Sequence, residues 1–110
     1  MTPDQIVSAV RAHLDHTEEV AKDASVGPWQ LGIVYGSVIS AGLGPVARNC
    51  AYQEDAEFIA ACDPSSVLSR VAADRKLLDF IEYMYGFGGS GGEMVKILAQ
   101  GLGIDTEETP

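Results

Sequence analysis

The sequence predicts an α+β domain in which a small antiparallel meander of two or three strands packs against three or four helices. Three observations carry this. Residues 24–47 hold no charged side chain, yet Pro28, Pro45 and several glycines interrupt them and polarity alternates within them, a strand-and-turn pattern. On either side, residues 3–24 and 64–85 repeat apolar residues at helical spacing. The hydrophobic fraction, 46% over 110 residues, suits one folded domain, expected over residues 1–104, with 105–110 as an acidic tail.

The first helix opens at Thr2-Pro3-Asp4-Gln5. Thr2 can cap, Pro3 fits the first helical position, and Gln5 completes a capping box. Ile6, Val10, Leu14, Thr17 and Ala21 form its stripe, and it should stop near Ala24, ahead of Gly27-Pro28.

The uncharged run that follows is long enough to span a bilayer. Its turn chemistry favours a meander instead. Trp29, Leu31, Ile33 and Tyr35 alternate with Gln30, Gly32 and Val34 as a first strand, with Trp29 in the core. Gly36-Ser37 marks a tight turn. Residues 38–41 return, Gly42-Leu43-Gly44-Pro45 turns again, and 46–50 form a third strand.

Residues 55–62 read as a short helix with Phe58, Ile59 and Cys62 on one side. Asp63 then caps a long helix that begins at Pro64, where a missing N–H is harmless. Proline disfavours helical geometry in the residue before it, so Cys62-Asp63-Pro64 is a corner between helices. The long helix, residues 64–85, shows a stripe of Val67, Val71, Leu78, Ile81 and Tyr85, widened by Leu68, Leu77 and Met84. A flexible glycine-rich linker follows, and Ser90 with Glu93 has capping-box spacing for a last helix. Its apolar face is Met94, Val95, Ile97, Leu98 and Leu102.

Sixteen acidic residues against seven basic ones give a net charge of −9. That opposes direct binding to nucleic acid, which requires cationic side chains against phosphates. Cys50 and Cys62 lack the CxxC spacing of a metal knuckle, and with no secretory leader in "MTPDQIVSAV" they are expected as free thiols. His13, His16 and Glu19 stand three residues apart on one helix but without a fourth ligand. The cluster Gly86, Gly88, Gly89, Gly91, Gly92 follows a helix rather than a strand and lacks the P-loop lysine. No catalytic, cofactor-binding or metal-binding set is expected, and no enzyme, cofactor or membrane association.

Two stretches carry a resemblance. "GPW" at Gly27-Pro28-Trp29 is one. The other is the pattern Asp55, Ala56, Ile59, Ala60, Asp63, Pro64, Val67, Leu68, Val71, Ala73, Arg75, Leu77 and Leu78. Together they resemble a family of short uncharacterised proteins, a domain of unknown function, of Streptomyces and actinobacterial phages. The likeness covers about residues 3–80, and the C-terminal third departs from it. It implies an actinobacterial or phage origin and an intracellular home, and it carries no activity.

The functional expectation is a non-enzymatic protein-binding accessory factor, phage-encoded and acting on a host or phage protein in the host cytoplasm. Tyr85, Phe87, Met94, Val95, Leu98 and Leu102 are the candidate partner-binding residues; the last helix docks either on its own domain or on a partner. One alternative is an acidic nucleic-acid mimic built on Asp15, Glu18, Glu19 and Asp23, inhibiting a DNA-binding or defence protein. The other is a self-associating structural or virion protein, a homo-oligomer through the uncharged meander.

Overall fold

The computed structural model of the chain describes residues 1–24, 27–40 and 44–106. In order its elements are α1 (Pro3–Asp23), β1 (Trp29–Leu31), β2 (Val38–Ser40), β3 (Gly44–Ala47), α2 (Gln53–Ala61), α3 (Pro64–Tyr85) and α4 (Gly89–Gly101). The strands form one antiparallel sheet of order β1-β2-β3, which gives the expected α+β class. The chain divides into two compact units, Met1–Thr17 with Val71–Pro110, and Glu18–Arg70. Because α1 and α3 each run through the division, no linker in the sequence marks it.

The capping box of α1 is reciprocal. The Gln5 N–H donates to Thr2 Oγ1 at 3.2 Å, and the Thr2 N–H donates to Gln5 Oε1 at 2.9 Å, so two amides without helical partners are satisfied. In the unit it forms with Val71–Pro110, α1 buries Ile6, Val7, Val10 and Leu14. Val71, Leu78 and Ile81 of α3, and Val95 and Ala99 of α4, are buried there too. Two ion pairs link α1 to α3: Arg11 to Glu82 at 3.1 Å and Arg75 to Asp15 at 2.8 Å.

α4 begins two residues earlier than its capping-box spacing suggests. Gly88, not Ser90, is the N-cap, in extended conformation and without a side-chain cap. The reason lies in the glycines that follow. A Cβ on Gly91 would fall on the Gly86 carbonyl oxygen, inside the 3.0 Å that real Cβ atoms keep, and one on Gly92 would stand 2.7 Å from the Phe87 carbonyl oxygen. The helix therefore starts in close contact with the chain that leads into it. Gly86–Gly88 is a tight corner, where a flexible linker was expected.

The tail is also held more firmly at its start than its composition suggests. Thr106 is buried. The Met1 nitrogen donates to its carbonyl oxygen, and Gln100 Nε2 donates to its hydroxyl, each at 3.5 Å. Residues 107–110 lie outside the described part of the chain.

The unit Glu18–Arg70 holds the sheet and α2, which packs on β1 and β2. Among its described residues Ala21, Val38 and Ala56 are buried. Trp29 is half-buried in β1 rather than central. The first strand is also shorter than its alternation predicts. The Gly32 N–H donates to Ser37 O at 3.0 Å and the Ser37 N–H to Val34 O at 3.2 Å, so the chain turns after Leu31. Ile33, Val34 and Tyr35 are left exposed.

Gly36 makes this turn possible. Its φ is +74°, open to glycine at little cost, and a Cβ there would collide with the Cys50 carbonyl. Its N–H donates to Gln53 Oε1 at 2.9 Å, and its carbonyl accepts the Cys50 N–H at 3.0 Å. The Gln53 N–H in turn donates to the Tyr35 hydroxyl at 3.1 Å.

β3 spans Gly44–Ala47 instead of 46–50. Pro45 pairs with Ile39 and Ala47 with Val38, leaving Val46 as a bulge, which is admissible for proline because β3 is an edge strand. The expected turn at Gly42-Leu43 and the end of the return strand at Ala41 lie outside the described residues.

The corner at Asp63 has the expected form. Asp63 Oδ1 accepts the Ser66 N–H at 2.8 Å and its carbonyl accepts the Val67 N–H at 3.1 Å, with Pro64 first in α3. α2 itself is turned differently from its predicted face. Phe58 and Cys62 are exposed, and Ala56 is the buried residue, on a helix that packs against β1 and β2.

Candidate functional site

α3 carries two apolar stripes. Val71, Leu78 and Ile81 are buried. Ala73, Leu77, Phe80 and Met84 follow one another at intervals of four, three and four residues and are all exposed. That spacing repeats along one side of a helix, as in a coiled-coil seam, so the second stripe is a continuous apolar line. Tyr83 stands beside it, 84% exposed.

α4 adds exposed apolar residues of its own. A Cβ on Gly91 would lie 3.1 Å from Tyr85 Cβ, so the start of α4 lies against the end of α3. Met94 is partly exposed and Ile97 is 66% exposed. The exposed apolar residues of α3 and α4 thus belong to one compact unit.

Of the partner-binding candidates from the sequence, Tyr85 and Met94 are exposed. Phe87, Leu98 and Leu102 are half-buried. Val95 is 1% exposed and belongs to the core, so it offers nothing to a partner. The sequence reading of α3 assigned Leu77 and Met84 to the core stripe and passed over Phe80 and Tyr83. The four-three-four spacing was the signal that separates the two stripes.

A second exposed set lies in the other unit. Ile33 and Val34 line a groove of about 430 Å³ with Gly32, Ser37, Ile39, Pro45, Arg48 and Asn49. The groove is apolar apart from Arg48 and the loop amides, and no titratable pair converges on it.

The Asp63 carboxyl is shifted from its ordinary value. The Ser66 amide, with the Trp29 amide behind it, holds its carboxyl below the ordinary value of 3.8, against a smaller opposing effect of burial. Both its oxygens are engaged by backbone N–H groups, so it caps and ties rather than reacts. Among the described residues no three His, Cys, Asp or Glu side chains converge as a metal site, and Cys50 and Cys62 are free. At the glycine cluster, carbonyl oxygens of Gly86 and Phe87 press against Gly91 and Gly92, unlike the converging N–H groups of a phosphate cradle. Among the described residues, no helix is long and apolar enough to cross a membrane.

The fold and its surface define a small α+β protein with exposed apolar residues on α3 and α4. The chain belongs to a family of unknown function, DUF6221, whose model matches residues 3–100. The match extends past residue 80, where the resemblance read from the sequence stopped, and takes in most of α4. Neither curated proteins nor solved structures gave a match.

Proposed function

We propose that this protein is a non-enzymatic binding module that engages another protein through the α3–α4 face. The observation that supports this is the exposure of Leu77, Phe80, Tyr83 and Met84 on α3 and of Met94 and Ile97 on α4, all within one compact unit. Such a patch on a small acidic chain is costly to leave in water and marks an interaction site. In the fuller reading the factor is encoded by an actinobacterial phage and acts in the host cytoplasm, without contacting nucleic acid directly. The patterned segment around Asp63 supports the origin, and the net charge of −9 supports the absence of phosphate contacts.

The nucleic-acid mimic is the weaker reading. It needs a row of free carboxylates on α1, but Asp15 is paired with Arg75 and Glu18 with Lys22. That leaves Glu19 and Asp23, too short a row to imitate a phosphate backbone.

The test is affinity capture from an actinobacterial lysate with the wild type, Phe80→Glu and Ile97→Glu in parallel. A protein retained by the wild type and lost from both variants supports the reading. Equal retention by all three, or turnover of a small molecule by the purified chain, overturns it.

A further inference from the structure

We propose that the stripe Ala73, Leu77, Phe80, Met84 pairs antiparallel with the same stripe of a second copy of this chain. The proposal rests on the protein-binding reading of the α3–α4 face and names its partner.

The area is the first argument. From their exposures, Leu77, Phe80 and Met84 of the stripe present roughly 350 Å², and Tyr83, Met94 and Ile97 beyond it bring the total to roughly 800 Å², which is what one partner contributes to an interface of standard size.

The order of side chains is the second. A two-fold axis between Leu77 and Phe80 sets Leu77 against Phe80 of the second copy and Ala73 against its Met84. The one small residue of the stripe, Ala73, then meets the long Met84, and Leu77 meets Phe80, each contact made twice, as an isologous interface requires. On one flank Lys76 comes across from Tyr83 of the second copy, within the reach of a cation–π contact, and symmetry makes this contact twice.

Charge is the third. Two chains of net charge −9 repel each other, so they can meet only where carboxylates are scarce. The stripe carries none. The nearest on α3, Asp74, is half-buried, and Asp79 lies farther round the helix with Arg11 and Arg75 around a small cavity.

Sedimentation velocity on the full chain tests this. Up to about 100 µM, the wild type should be dimeric, and more so as salt rises, because salt screens the repulsion between acidic chains. Phe80→Glu should raise the dissociation constant at least about tenfold while leaving the circular dichroism spectrum unchanged, since Phe80 lies outside the core. A second variant does not depend on that substitution. In a Cys50→Ser, Cys62→Ser background, Ala73→Cys with Met84→Cys should give a disulfide-linked dimer on oxidation. The two positions are about 16 Å apart along one helix, beyond the reach of a bond within one chain. A wild type that stays monomeric, or an absence of the cross-link, overturns the pairing. If such a monomer still captures another protein through Phe80, the binding reading stands without it.

Discussion

Asp63 and Trp29 are joined across thirty-four residues: the Trp29 backbone N–H donates to Asp63 Oδ2 at 3.4 Å. The other oxygen, Oδ1, accepts from the Ser66 N–H at 2.8 Å. One carboxylate therefore caps α3 and fixes the start of β1, and Gly27 packs against it, its Cβ position 3.5 Å from Oδ2.

This contact should make stability depend on acid. The Ser66 amide, followed by the Trp29 amide, lowers the Asp63 carboxyl below its ordinary 3.8. A carboxyl depressed in the folded state stabilises fully above its unfolded value and loses that stabilisation as pH falls through the folded one. Thermal melts from pH 6 down to pH 2 should show a drop below about pH 4 that is smaller in Asp63→Asn. An equal drop in both proteins would remove Asp63 from the account of acid sensitivity.

Gly91 should tolerate no side chain. Because the Gly86 carbonyl oxygen occupies the place of a Cβ, Gly91→Ala must push α4 off its start, at a cost of about 1–3 kcal/mol. Gly101→Ala is the control: nothing lies within 4 Å of its Cβ position, and alanine's better helix propensity should leave stability unchanged or raised by about 0.5 kcal/mol. Urea unfolding of both variants checks the contrast.

Leu14 and Ile33 are apolar residues of similar size in opposite situations. Leu14 is 1% exposed and Ile33 105%. Leu14→Ala should cost about 2–5 kcal/mol through lost burial and the cavity left behind. Ile33→Ala should stay within about 0.5 kcal/mol of the wild type. A large loss on Ile33→Ala would mean that the hairpin tip is covered in solution.

Deletion of residues 87–110 should abolish cooperative melting of the unit that α4 completes. Val95 and Ala99 are buried in the same unit as Val10, Leu14 and Leu78, so their removal takes buried side chains out of its core. A truncated chain that keeps the wild-type melting curve would show that α4 is dispensable to the core.

The pair Arg75 and Asp15 should contribute little. At 2.8 Å the geometry is good, but the side chains are 39% and 75% exposed, and exposed ion pairs contribute about 0–1 kcal/mol. A double-mutant cycle with Arg75→Ala and Asp15→Ala should give a coupling in that range, diminishing with salt.

The sequence by itself determined the punctuation of this fold. Thr2-Pro3 and Asp63-Pro64 set the starts of α1 and α3 because capping side chains and proline act on their own backbone neighbours, whatever packs later. The turn around Gly36 was legible for the same reason: a positive φ is a local demand. Tertiary structure decided which apolar residues are spent on a core. α3 has two stripes, and periodicity alone does not say that Leu78 and Ile81 go inward while Phe80 and Met84 stay in water. Alternation through Tyr35 looked like strand, but a strand needs a neighbour to bond, and the chain turns after Leu31. At α4, the close approach of the Gly86 and Phe87 carbonyls moved the helix start ahead of Ser90, and at Phe58 the sheet accepted Ala56 instead. Each of these outcomes depends on residues distant in the chain or on the path the backbone takes, and spacing along one element carries no record of either.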